Sequence, residues 1–174
     1  VTIVAARAEM GNGAARTALP MMLADELEAD WAKVRVVQSP GDERTYGNQD
    51  TDGSRSVRHW IQPMRQCGAA ARAMLEQAAA AEWKVNVSEV EAQLHEVVHK
   101  PTGRKLGYGQ LAAAASALPV PAADKIKLKQ ASAFRYIGKG TVRISDLHDI
   151  TTGKAIYGQD VRLPGMKFAV VARP

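Results

Sequence analysis

The chain has 174 residues and a net charge of +5, with 46% hydrophobic and 5% aromatic residues. It is long enough to bury a core of its own, and no apolar run approaches the roughly 20 residues of a membrane span. Its single cysteine, Cys67, excludes an internal disulfide and an iron–sulfur cluster held by this chain alone.

Residues 2–9 read as a strand that Gly11-Asn12-Gly13 ends. A helix is predicted over Ala14–Ala29, with Ala15, Ala18, Leu19, Met22 and Leu23 on its apolar face. Asp25, Glu26 and Glu28 of this helix are assigned to water. Pro20 either kinks the helix or marks a late start. Trp31–Val37 alternates as a strand, and Pro40–Gly53 is a polar loop of the length expected to be functional or disordered.

The strongest helix pattern covers Val57–Trp83, where alanines at helical spacing allow close packing. Cys67 on this helix is expected to be a small buried core residue rather than a nucleophile. Strands follow between Val85 and His99, with Pro101–Arg104 as a turn. Leu106–Leu118 becomes a short helix. Residues 119–145 read as an extended connector, and Gly153–Arg173 as strand and turn, with Leu163-Pro164-Gly165 between two strands.

Charge is uneven along the chain. Residues 100–144 carry nine Lys and Arg against Asp124 alone. Only Phe134, Arg135 and Tyr136 interleave aromatic with basic side chains, so nucleic acid is not the expected partner. A solvated linker, or contact with an acidic partner surface, is the reading favoured here.

His95-Glu96-Val97-Val98-His99 spells the H-E-x-x-H of zinc hydrolases. That motif works on a helix, which turns residues i and i+4 to one face. Adjacent β-branched valines and the following Pro101 and Gly103 argue for a strand instead. Two histidines four residues apart in a strand are about 13 Å apart and cannot share one zinc. No Glu follows Glu96 to serve as third ligand, which leaves Asp124 or Asp146 for that place, and His59 and His148 have no clustered partners. The expectation is two histidines on an exposed strand, with a zinc hydrolase using His95, Glu96 and His99 as a remote alternative.

Two glycine-rich segments stand before helices. In Glu9-Met10-Gly11-Asn12-Gly13 the glycines allow close backbone approach, and the helix N-terminus behind them offers free N–H groups to an anion. In Asp52-Gly53-Ser54-Arg55-Ser56, Ser54 or Ser56 fits a plain N-cap, and Arg55 fits either a phosphate or a carboxylate.

In order, these segments resemble the molybdenum-binding large subunit of the xanthine dehydrogenase/aldehyde oxidase superfamily, isoquinoline 1-oxidoreductase branch. Glu9–Gly13 is similar to its E-M-G-Q-G element, and Gly53–Arg58 to its G-S-R-S-V-R element. Ala18–Val36, Leu106–Ala115 and Phe134–Lys139 resemble further segments, and Gly153–Met166 looks like the opening of an a/b hammerhead domain.

The resemblance implies an α+β fold with helices packed on a mixed sheet. Residues 1–118 would be part of a molybdopterin-binding domain, 119–145 a basic extended linker, and 146–174 the start of a truncated hammerhead. It implies a fragment, cut at both ends, of an oxidoreductase that hydroxylates aldehydes or N-heterocycles with water-derived oxygen. The implied cofactor is molybdopterin cytosine dinucleotide, with [2Fe–2S] clusters on a separate small subunit.

Gly11, Asn12 and Gly13 would approach the pterin or nucleotide, and Gly53, Ser54 and Arg55 would line a similar loop. The implied partners are the remainder of the large subunit, the iron–sulfur subunit and a cytochrome c acceptor, in a periplasmic or membrane-associated bacterial setting. Asn12 departs from the family's Gln by one methylene. The family's general-base Glu lies beyond this chain, so the chain alone is expected to be inactive. The alternative is a non-catalytic binding or interaction module.

Overall fold

The computed structural model describes residues 1–173. Strand β1 (Thr2–Ala5) turns Ile3 and Ala5 into the core and pairs in parallel with β2 (Arg35–Gln38), Thr2 opposite Arg35 and Ala5 opposite Gln38. The crossover between them carries helix α1 (Leu19–Glu26). One π-helical turn, Ala14–Ala18, precedes α1, and the Ala18 N–H reaches the Gly13 carbonyl at 2.9 Å. Pro20 therefore sits just behind the π-helical turn, at the second residue of α1. Helical backbone nevertheless runs unbroken from Ala14 through the π-helical turn into α1, so Pro20 does not mark a late start.

The polar loop after β2 contains a short helix, α2 (Glu43–Tyr46), capped by the Asp42 side chain. Helix α3 (Arg55–Trp83) is the 29-residue spine of the fold, with Pro63 inside it. It crosses α1 at Gly68, where a Cβ would stand 2.3 Å from the Leu23 carbonyl oxygen. No side chain larger than hydrogen fits between the two backbones there. The alanine run of α3 packs with Val90, Ala92, Val97, Tyr108 and Leu111 into one core.

Those residues come from a three-stranded antiparallel sheet, β3 (Val90–Gln93), β4 (Glu96–His99) and β5 (Lys105–Gly107), and from helix α4 (Tyr108–Ser116). Leu94 and His95 make the two-residue turn between β3 and β4, both at positive φ. The arrangement is α+β as expected, but in place of the expected mixed sheet the described residues form two separate sheets, one a parallel pair and one an antiparallel triplet.

Several expectations are corrected. Asp25 and Glu26 are fully buried, not in water. Burial follows from α3 packing at Gly68 and from residues 125–137, which cross the C-terminal end of α1 as a basic strap; Lys129, Tyr136 and Ile137 of the strap are half-buried, while Lys125, Lys127 and the 3-10 turn Ala131–Ala133 stay exposed. Asp25 accepts the N–H groups of Tyr136 and Ile137 at 2.9 Å and the Lys129 ammonium at 2.7 Å. Glu26 pairs with Arg65 at 2.7 Å and accepts the Lys129 N–H at 3.0 Å, while Glu28 pairs with Lys129 and Arg135. The strap's acidic partner is thus the chain's own helix. Burial pushes the Asp25 carboxyl up, but the strap's N–H groups and Lys129 outweigh it and hold it below its ordinary value.

Cys67 is exposed rather than buried. His95 and His99 are buried rather than on an exposed strand. The His95 Nδ1 accepts the Asp30 N–H at 2.7 Å and its ring stacks on Tyr108, while His99 Nδ1 meets the Thr102 hydroxyl at 2.7 Å. Glu96 to His99 is strand, so the helical geometry a zinc hydrolase needs is missing, and the described residues hold no cluster of three metal-binding side chains.

Beyond α5 (Leu147–Thr151), residues 153–173 hold a 3-10 turn, Gly158–Asp160, but no strand ladder among the described residues, and Phe168 and Val170 are exposed. The two strands expected there are not formed; only the turn at Pro164-Gly165 is. Pro174 lies outside the described residues. Among the described residues no helix is long and apolar enough to cross a membrane.

Candidate functional site at the two glycine loops

The first glycine loop joins β1 to the π-helical turn. Gly11 and Gly13 have φ of 90° and 76°, in the region that favours glycine. The N–H groups expected to meet an external anion are already taken by Glu9. Its Oε1 accepts from Gly11 and Gly13, both at 2.9 Å, and its Oε2 from Ala15 at 3.2 Å and Arg16 at 2.9 Å. Burial alone raises the Glu9 carboxyl, yet these four donors outweigh it and keep it below its ordinary value.

The faces of this loop are covered too. A Cβ on Gly11 would meet the Tyr157 ring at 3.3 Å, and one on Gly13 the Ile144 side chain at 3.1 Å. Ser145 donates its N–H to the Thr17 hydroxyl at 2.8 Å, and Arg16 pairs with Asp146 at 3.4 Å. A cavity of about 670 Å³ lies between this segment and β2, walled by Glu9, Arg16, Gln38, Gln49 and Tyr157.

The second loop is built oppositely. Gly53 and Ser54 both have positive φ, 44° and 59°, and place the chain at the head of α3. Neither serine caps that helix. The Ser54 side chain makes no capping bond, and Ser56 is buried with its hydroxyl 2.8 Å from the Thr51 hydroxyl. A Cβ on Gly53 would meet nothing within 4 Å among the described residues. Arg55 clamps carboxylates of its own chain: its Nη2 donates to Asp50 at 2.6 Å, and its Nε donates to Asp52. The Arg55 guanidinium in turn holds the Asp52 carboxyl below its ordinary value.

The two loops meet. Met10, Asn12 and Ala14 from the first, and Thr51, Asp52, Gly53, Ser54, Ser56 and Val57 from the second, line one cleft of about 450 Å³. Of the six residues singled out from sequence, Asn12, Gly53 and Ser54 face this cleft; Gly11 and Gly13 shape the loop behind it, and Arg55 stands paired beside it. An uncapped end of a long helix opening on a cleft suits an anionic group.

The residue that sequence reasoning missed is Arg7, only 3% exposed. It donates to Asn48 Oδ1 at 2.8 Å, to Asp50 at 3.0 Å and to Ser56 at 3.3 Å, and also bonds the Asn48 carbonyl. The signal was available: Ile3, Ala5 and Arg7 share the inward phase of a strand, so an arginine there enters the core. Around it the long polar loop is pinned, not disordered. Gln49 donates its side-chain amide to the Ala6 carbonyl at 3.0 Å, and Thr51 its hydroxyl to the Ala8 carbonyl at 2.6 Å.

Residues 1–155, which contain both loops, match the family of the molybdopterin cofactor-binding domain. The chain is 35% identical to the beta subunit of isoquinoline 1-oxidoreductase from Brevundimonas diminuta, over 98% of this chain and 26% of that protein. It is 34% identical to a membrane-bound aldehyde dehydrogenase (pyrroloquinoline-quinone) of Gluconacetobacter polyoxogenes, over 97% of this chain and 22% of that one. It is 29% identical to a nicotinate dehydrogenase subunit from Pseudomonas putida, over 95% of this chain and 14% of the relative. The chain therefore spans about a quarter or less of the relatives it matches.

Proposed function

Because the chain belongs to the molybdopterin cofactor-binding domain family, we propose that it forms part of the cofactor wall in the large subunit of a molybdenum hydroxylase. The observation that carries this reading is the uncapped head of α3, open on a cleft that both glycine loops line. The residues fit such a group. The N–H groups of the first turn of α3 have no side-chain cap, Gly53 leaves room beside them, and Asn12 offers an amide across the cleft.

In this reading Gly53 and Ser54 let the phosphate-bearing part of the cofactor approach backbone, and Asn12 hydrogen-bonds it. Arg55 exchanges Asp50 and Asp52 for the incoming anion. Gly11 and Gly13 act through conformation, holding Asn12 in place. Bound there, a molybdopterin cytosine dinucleotide supplies a metal able to hydroxylate an aldehyde or N-heterocycle with oxygen from water. This chain's own part is to hold and orient. Electrons leave through [2Fe–2S] clusters on a small subunit toward a cytochrome c, in a periplasmic or membrane-associated complex. The general base comes from sequence outside this chain, which is inactive by itself.

The proposed division is a cofactor-wall domain over 1–118, a basic strap over 119–145, and the opening of a hammerhead over 146–174. The test is Arg55→Ala in the holoenzyme, read as molybdenum per polypeptide and as turnover. Both are expected to fall by roughly tenfold or more. Full occupancy at unchanged rate overturns the assignment. A native species no larger than this chain and free of molybdenum favours the non-catalytic module instead.

A further inference from the structure

Resting on that reading of the cleft, we propose that Arg7 is its positioning residue: a buried guanidinium that sets the spacing between the Asn48–Asp50 loop and the head of α3, and aims Asp50 at Arg55. Arg7 never reaches the cleft, whose lining residues do not include it. It acts through what it grips on two sides. One side is the loop, through the Asn48 side chain and carbonyl and one oxygen of Asp50. The other is the first turn of α3, through Ser56.

The direction of the hydroxyl bonds follows from the same geometry. Thr51 donates its only hydroxyl proton to the Ala8 carbonyl at 2.6 Å. At 2.8 Å it must therefore accept from Ser56, while Ser56 accepts from Arg7 Nε at 3.3 Å. The chain Arg7, Ser56, Thr51, Ala8 carbonyl commits both hydroxyl protons. The donors left to the cleft are thus the N–H groups of Ser56 and Val57 at the α3 head, not these hydroxyls and not the Arg55 N–H, which the Asp52 carbonyl holds at 2.8 Å. Asp50 is likewise divided: Oδ1 belongs to Arg7 at 3.0 Å, and Oδ2 to Arg55 at 2.6 Å. With one oxygen fixed from below, the other presents a defined resting place from which Arg55 can be drawn. A lysine cannot replace this, because an ammonium has no planar fork to span loop and helix together.

The experiment compares Arg7→Gln and Arg7→Lys with Arg72→Gln in the holoenzyme and its cofactor-free form. Arg72 is a half-buried, ion-paired arginine on α3, but it holds Glu26 at the crossing with α1. Three quantities are read: molybdenum per polypeptide, melting temperature, and the Kd of the cofactor-free protein for inorganic pyrophosphate. Arg7→Gln is expected to raise that Kd and lower molybdenum content by roughly tenfold, with Arg7→Lys between it and wild type. Arg72→Gln is expected to melt earlier yet bind pyrophosphate within about twofold of wild type.

Wild-type pyrophosphate binding in Arg7→Gln overturns the proposal, as does a Kd that merely tracks melting temperature across all three variants. Should Arg7→Gln fail to fold, Ser56→Ala, which cuts one arm of the network, is expected to weaken pyrophosphate binding, and unchanged binding refutes the relay. If Arg55→Ala loses the cofactor while the Arg7 variants keep it, this inference fails and the cofactor-wall reading stands. If wild type binds no pyrophosphate, both fail.

Discussion

The two glycine loops look alike in sequence and do opposite things in the fold. Each turns a chain with positive φ into the head of a helix. At the first, the chain brings its own anion: Glu9 fills four N–H groups, and Tyr157 and Ile144 close over the glycines. At the second, the helix head has no side-chain cap, and nothing stands near Gly53. A glycine-rich turn before a helix therefore specifies backbone shape. Whether it binds a ligand depends on whether a carboxylate nearby has already taken the donors.

The largest expected effect is at Glu9. Glu9→Ala strips a charged acceptor from four backbone donors and is expected to lose about 3 kcal/mol of stability in denaturant titration. The same variant should then be stabilised by added phosphate more than wild type, since its first loop has become like its second. A variant that gains nothing from phosphate breaks the comparison. Next is Gly13→Ala, which meets both a left-handed φ and the Ile144 side chain; a cost of about 2 kcal/mol is expected. Gly53→Ala meets the φ alone and should cost only about 1 kcal/mol. Equal melting shifts for the two glycines would show that the cover over the first loop is not packed.

The smallest effect is in pH. The Glu9 carboxyl is held below its ordinary value of 4.5 when folded. Its stabilisation is therefore complete above that value and is lost as pH falls through the lower folded one. Stability measured downward from pH 6 should drop less steeply in Glu9→Gln than in wild type. Parallel curves would remove Glu9 from the account.

Local signals predicted the fold where contacts are local. The alanine spacing of α3 and the strand pattern around Val97 and Val98 were both readable, and the strand assignment removed the zinc motif on geometric grounds. What failed was non-local. Asp25 and Glu28 look like a solvated helix end because Lys129 and Arg135, which pair with them, come about a hundred residues later, and Glu26 because Arg65 and Arg72 reach it from α3. Cys67 fell on the wrong face because the neighbouring Gly68, one residue on, is the position that touches α1. In the site, the loops were legible from their glycines. Their unequal openness was not, since it depends on Tyr157 and Ile144 crossing back from far along the chain.

That same separation sets a schedule. Glu26 can meet Arg65 and Arg72 as soon as α3 exists, but Asp25 and Glu28 wait for residues 129–137. On a ribosome adding about 5–20 residues per second, the amino-terminal half holds two uncompensated carboxylates at the end of α1 for several seconds. Until the strap arrives, that end of the helix lacks the cations that pair with it in the finished fold.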